Sequence, residues 1–125
     1  MRNKRILIID DEPDIRHIAN LSLTRIGKFD VVAAGSGEEG LSISGQEEFD
    51  IILLDVMMPD MDGVTVYEKL KYIEINKNTP VVFMTARAQE NEKNRYLSIG
   101  ASGVIAKPFD PMVLPEQVKK IMQRE

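Results

Sequence analysis

The chain has 125 residues, 43% of them apolar and 29% charged, which suits one globular domain and leaves no room for a second core. It holds no Cys and a single His, excluding a disulfide framework, a thiolate metal cage, a Cys nucleophile and the usual multi-His metal sites, so any metal must be held by oxygen. Residues 1–62 carry 6 Lys/Arg against 13 Asp/Glu and residues 63–125 carry 10 against 7, for a net charge of -4; without a basic arm to displace counterions from phosphates, direct nucleic-acid binding is not expected.

The chain opens on polar residues 1–5 with no signal-peptide pattern, and its apolar runs, such as 6–9 and 51–54, are far too short to cross a bilayer; a cytoplasmic protein without a membrane segment is expected. Residues 5–10 read as a first strand, followed by Asp11 and Glu12. Residues 13–26 read as a helix, with Pro13 at its first turn, Gly27 past its end, and Ile15, Ile18, Ala19 and Ile26 on a face expected to pack on a sheet. His17 falls off that face and is expected to be exposed, without chemistry. A strand at 30–34 and a helix at 37–44 lead to a third strand at 50–54, which runs into Asp55. In the following loop Met57, Met58 and Met61 read as fillers, while Asp60 and Asp62 read as a turn residue and an N-cap for a helix over 64–75. A strand at 80–84 runs into Thr85, which could cap the helix expected at 89–99. A last strand at 103–106 meets Lys107 and Pro108, and a helix over 111–123 ends the sequence. Tyr67, Tyr72 and Tyr96 are isolated in sequence and carry no stacking pattern for nucleic acid.

Strand and helix alternating five times imply parallel strands joined by right-handed crossovers, continuously apolar because both faces of the sheet are covered. The expectation is a doubly wound α/β domain over residues 1–125, with five strands, five flanking helices, and no internal repeat or linker. Ligands of such sheets bind beyond the carboxyl ends of the strands, where Asp10, Asp11, Asp55, Thr85 and Lys107 all fall. In the flavodoxin-like strand order 2-1-3-4-5, strands one and three are neighbours, and Asp10, Asp11 and Asp55 share one pocket. Clustered carboxylates repel one another unless a hard cation neutralises them, and Mg²⁺, which takes carboxylates, water and phosphate oxygens, fits; a main-chain carbonyl after Asp55 could add a ligand. A Thr hydroxyl and a Lys ammonium from strands four and five supply a hydrogen bond and a charge to phosphoryl oxygens, and a carboxylate can be the nucleophile.

The run Ile8-Ile9-Asp10-Asp11-Glu12, the segment Leu54-Asp55-Val56-Met57-Met58-Pro59-Asp60-Met61-Asp62-Gly63, then Thr85-Ala86-Arg87 and Lys107-Pro108-Phe109 together resemble the receiver domain of two-component response regulators, chemotaxis regulators among them. The order and strand-end placement of these fragments carry the resemblance, which spans nearly the whole chain. It implies that Asp55 is the phospho-acceptor, that Asp10, Asp11 and Asp55 with the Met57 backbone carbonyl hold Mg²⁺, and that Thr85, Ala86 and Lys107 bind the phosphoryl group and throw the switch. It implies a cis Lys107-Pro108 bond, a histidine kinase or histidine phosphotransfer protein as donor, and a switch in place of an enzyme acting on other molecules. A downstream target, or a second copy on phosphorylation, would dock on the face of the fourth helix, fifth strand and fifth helix. One position departs from the pattern: three residues before the Lys such receivers often carry Tyr or Phe, and here stands Val104, so the switch is expected to work through Thr85 and residues 86–99 without an aromatic rotamer change at 104.

Two other functions compete at this stage. A haloacid-dehalogenase-like phosphohydrolase would need an Asp-x-Asp opening, a late acidic pair and usually a cap domain, none of which is present. A non-phosphorylated interaction module would be suspected had Asp55, Thr85 or Lys107 been lost, and all three remain.

Overall fold

The structure, a computed structural model, describes residues 3–124; Met1, Arg2 and Glu125, on which the reading of the two chain ends partly rests, lie outside the described residues. Five strands, β1 (Arg5–Ile9), β2 (Asp30–Ala34), β3 (Ile51–Asp55), β4 (Val81–Thr85) and β5 (Gly103–Ala106), form one parallel sheet in the order β2-β1-β3-β4-β5. The α-helices are α1 (Pro13–Leu21), α2 (Gly37–Ser44), α3 (Gly63–Leu70), α4 (Glu90–Ser98) and α5 (Leu114–Gln123). The expected doubly wound architecture is present, with β1 beside β3 at the centre.

Side chains alternate across the strands and divide the core into two layers. Ile6, Ile8, Leu53, Met84 and Ile105 meet Ala19 and Leu23 from the first helical segment and Leu114, Val118 and Ile121 from α5. Leu7, Ile9, Leu54 and Phe83 meet Val66, Tyr67 and Leu70 of α3 and Tyr96 of α4 on the other face. Burial of one such Leu, Ile or Phe side chain contributes about 1.5–3 kcal/mol, so the continuous apolar runs of β1, β3 and β4 drive the fold. Their lack of a polar face is what a sheet covered on both sides requires.

Several boundaries differ from expectation, each for a local reason. The first helix changes at Leu21 into a π-helical turn over Ser22–Ile26. Ala19 and Leu23 face the sheet while Ile18, within α1, and Ile26, at the end of the wider turn, are 41% and 44% exposed; only part of the predicted face packs inward. Buried Ser22 is accommodated because its hydroxyl donates to the Pro111 carbonyl. The third helix stops at Leu70, not at Ile75, and a short 3₁₀ turn over Glu74–Asn76 follows. The cause is Asn76, whose buried amide donates to the Ser44 and Glu47 carbonyls at 2.6 and 2.7 Å while its oxygen accepts from the Phe49 amide at 3.0 Å. Those bonds fix a turn that a continued helix would not reach. α5 begins at Leu114 in place of residue 111, because the Asp110 side chain accepts from the Met112 amide and holds a turn first. Tyr67 and Tyr96 are not isolated in space: both rings pack on Phe83, at 5.7 and 5.1 Å between centroids. Among the described residues no helix is long and apolar enough to cross a membrane.

Candidate functional site

Register brings the site together. Ile9 lies opposite Leu54, Asp55 opposite Met84 and Thr85 opposite Ala106, so the next residues of β1 and β5, Asp10 and Lys107, emerge beside Asp55 and Thr85. Amide bonds continue the ladder past the strand ends, from Asp10 to the Ala34 carbonyl at 3.1 Å and from Lys107 to the Thr85 carbonyl at 2.8 Å. Asp55 and Thr85 are the last residues of their strands, which end one residue beyond the expected boundary, and both are buried. Gly63 starts α3 against this backbone: a Cβ there would stand 2.5 Å from the Asp55 carbonyl oxygen, so only glycine admits the close approach.

Asp10, Asp11 and Asp55 each offer a carboxylate oxygen within 4.8 Å of the others. Lys107 Nζ stands 3.1 Å from Asp10 Oδ2, 3.4 Å from Asp55 Oδ1 and 3.2 Å from Glu12 Oε1. The Glu12 amide donates to Asp10 Oδ1 at 2.9 Å and the Met57 amide to Asp55 Oδ1 at 3.3 Å. Two buried oxygens, Asp11 Oδ1 and Asp55 Oδ2, have no hydrogen-bond partner. Burial pushes the Asp55 carboxyl up to about 7, reinforced by the charge of Asp10 and opposed by Lys107 and the Met57 amide. Burial by itself would lower Lys107; its hydrogen bond to Asp10 and the charges of Asp10 and Asp55 outweigh that and hold the ammonium above its ordinary value.

This donor set fits a hard divalent cation. Three carboxylates converge with a single buried ammonium between them, and unbonded buried oxygens on Asp11 and Asp55 are what an oxygen-seeking ion would satisfy. The amide bond of Met57 to Asp55 ties the expected backbone ligand to the acid at its centre, while the Met57 side chain is 70% exposed.

On the other side of Asp55, Thr85 Oγ1 accepts from the Arg87 amide at 3.0 Å, so the hydroxyl closes the turn that follows β4. It does not cap α4, whose N-cap is Gln89. Exposed Ala86 lines, with Thr85, Met57, Val64 and Tyr96, a largely apolar cavity of about 320 Å³ between the loop after β3 and α4. Val104 is half-buried and packs on the Phe83 layer, one strand away. The Lys107-Pro108 bond is cis, as expected. Asp62 caps α3 through the Thr65 amide at 2.8 Å, which holds its carboxyl below the usual range, and both Asp60 and His17 are exposed.

Two residues of the site were not assigned roles from sequence. Glu12 shares Lys107, and Arg16 Nη1 donates to the Asp10 carbonyl at 2.7 Å, fixing the end of β1. Glu12 sat in view as the third acid of a run, but nothing local shows that a Lys 95 positions later will reach it. Arg16 gave no signal beyond its helical spacing.

The family model described as the response regulator receiver domain matches residues 6–119. The chain belongs to the response regulator receiver family. Among curated relatives, the alkaline phosphatase synthesis transcriptional regulatory protein PhoP of Bacillus subtilis is 38% identical over 98% of this chain and 50% of its own length. A probable transcriptional regulator, ycf27, of Porphyridium aerugineum is 36% identical over 99% of this chain and 50% of its own. The receiver thus spans about half the length of the curated relatives it matches. Among solved structures, the chemotaxis protein CheY4 of Vibrio cholerae superposes with a TM-score of 0.87 at 28% identity, covering 95% of this chain and 98% of that one. A putative response regulator of Chloroflexus aurantiacus gives 0.87 at 31% identity, over 98% and 100%.

Proposed function

We propose that this receiver takes a phosphoryl group onto Asp55 and in doing so changes the surface it offers to a protein partner. The observation that carries the reading is the setting of Asp55: a buried carboxylate with one unbonded oxygen, flanked by Asp10 and Asp11, with Lys107 at 3.4 Å. The donor is a phosphohistidine of a sensor kinase or a histidine phosphotransfer protein. An Asp55 oxygen attacks phosphorus, an O–P bond forms, the N–P bond of the donor breaks, and the imidazole nitrogen keeps the electron pair. Mg²⁺ would be held by Asp10, Asp11, Asp55 and the Met57 carbonyl and would supply positive charge to the phosphoryl oxygens. Lys107 adds a second positive group. Thr85 and the backbone at Ala86 receive the transferred group from the β4 side, and Thr85 must release the Arg87 amide to do so.

The output surface is the α4, β5 and α5 face, where Leu97 is 45% exposed and Lys93, Lys120 and Arg124 border a groove with Val104. A target protein or a second copy of the phosphorylated chain docks there. The receiver itself is not proposed to touch nucleic acid; relatives named as transcriptional regulators extend over about twice its length, and a DNA contact would be made outside the part they share with it. It acts in the cytoplasm as a switch on its own Asp55, and not as an enzyme on other molecules. Incubation with a small phosphoryl donor and Mg²⁺ tests this: a switch accumulates one alkali- and hydroxylamine-labile phosphate per chain, whereas a phosphohydrolase releases many phosphates and an inert module takes none.

A further inference from the structure

At the amino-terminal ends of β4 and β5, on the opposite edge of the sheet from Asp55, lies a second polar cavity of about 200 Å³. It is bordered by Tyr67 and Lys71 from the end of α3, by Lys77 and Asn78 after the 3₁₀ turn, and by Gly100 and Ser102 before β5. Among the described residues its lining contains two ammonium groups and no carboxylate. Lys77 is joined to Glu74 at 3.1 Å, but Glu74 is 84% exposed and lies outside the lining. Lys71 has no acidic partner among the described residues; its Nζ stands 4.5 Å from the Tyr67 ring centroid.

Tyr67 is 7% exposed, and its hydroxyl, which makes no hydrogen bond among the described residues, opens onto the cavity. This hydroxyl and the Lys71 ammonium both crowd over Gly100: a Cβ at position 100 would overlap the Tyr67 hydroxyl and stand 3.5 Å from Lys71 Nζ. Gly100 has φ +118, a conformation that itself favours glycine, and its missing Cβ is what lets the Tyr67 hydroxyl stand there. Thr79 does not contribute a free donor, because its hydroxyl is engaged with Asn76 at 2.9 Å. Ser102 and Asn78 add neutral polar side chains at the rim.

We propose that this cavity binds a small oxyanion of the phosphate class, held by Lys71 and Lys77 and receiving a hydrogen bond from the Tyr67 hydroxyl. Ammonium groups suit phosphate as point charges, and a phenol can donate without adding charge. The volume is below the roughly 300–1,000 Å³ of sites for drug-sized molecules, which limits the buried part of the ligand to the anion itself. The anion is either free inorganic phosphate or the phosphate of a monoester whose remainder stays in solvent.

Backbone NMR of the chain in EDTA, which keeps the Asp55 site free of metal, tests this with inorganic phosphate in one arm and glycerol phosphate in another. Sodium chloride at matched ionic strength is the control. The proposal expects saturable shifts confined to residues 67–71, 76–79 and 100–102 with at least one phosphate compound and none with chloride. The better of the two compounds names the source of the anion. Lys71→Gln should weaken binding at least tenfold, and Tyr67→Phe, which keeps the ring packing on Phe83, severalfold. Shifts that grow linearly without saturation, that chloride reproduces, or that survive in the Lys71→Gln/Lys77→Gln double variant would overturn it.

Discussion

Lys107 Nζ sits closer to Asp10 (3.1 Å) than to Asp55 (3.4 Å), so the ammonium is held by an acid of the neighbouring strand while standing within reach of the acceptor. Its cost is visible in the same geometry: the side chain is 11% exposed and must be paired to remain there. Replacing Lys107 by Met should therefore leave Asp10 and Asp55 facing each other without a cation. We expect a loss of about 3 kcal/mol at pH 8 in metal-free buffer, the low end for breaking a buried pair. The loss should shrink when Mg²⁺ is added and at pH 5, where Asp55 is protonated. Urea denaturation under the three conditions checks this; an equal loss in all of them would contradict the pairing.

The raised Asp55 carboxyl predicts how stability follows pH. Its value is about 7 in the folded chain against 3.8 when unperturbed, so between those two points the folded state holds a proton that the unfolded state has released. Stability in metal-free buffer should accordingly fall as pH rises through that window, at up to about 1.4 kcal/mol per pH unit near its middle. Asp55→Asn should remove this component, and Mg²⁺ should restore stability above pH 7 by neutralising the ionised carboxylate. Melting curves between pH 4 and pH 8, with EDTA or Mg²⁺, provide the check. A parent chain that gains stability from pH 5 to pH 7 as steeply as Asp55→Asn does would refute the assignment.

Most of the fold was legible in the sequence because five apolar runs have no polar face, and only a sheet covered on both sides explains that. The site was legible because the architecture sends Asp10, Asp55, Thr85 and Lys107 to one edge whatever the details of the helices. What escaped depends on contacts distant in sequence. Asn76 is an ordinary residue until Phe49, Ser44 and Glu47 come to bond it, and Ser22 faces inward only because Pro111 accepts its hydroxyl. The outward turn of Ile26 follows from a π-helical turn for which residue spacing gives no sign.

Asn76 offers a test of structure separate from chemistry. Asn76→Ala should strand the Phe49 amide and the Ser44 and Glu47 carbonyls, at about 1–3 kcal/mol for each buried group left unmatched, with partial relief by water. A net loss of about 3 kcal/mol is expected, with unchanged phosphate uptake at Asp55 at temperatures where the variant is folded. Denaturant titration and a donor assay on the same sample decide it, and a loss below 1 kcal/mol would show that the hub is not the anchor of that turn.

The switch itself should be seen at Thr85. With Val104 in register beside Phe83, no ring is available at position 104 to turn inward, and the contact that differs between states is the Thr85 hydroxyl leaving the Arg87 amide for a phosphoryl oxygen. Addition of beryllofluoride and Mg²⁺ should shift backbone resonances over residues 86–99 and 103–110. Thr85→Ala should lose most of the response while still binding Mg²⁺. A full response in Thr85→Ala, or shifts confined to α1 and α2, would contradict this route.

Phosphorylation of the buried Asp55 carboxylate, with a divalent cation offsetting the neighbouring acids, can be read directly. Mass spectrometry of the chain after incubation with a small phosphoryl donor, with peptide mapping after borohydride reduction of the acyl phosphate, reads it at the level of one residue. The account predicts a single phosphate on Asp55, present with Mg²⁺, lost with EDTA and lost in Asp55→Asn; a phosphate on another residue, or full labelling without metal, would contradict it.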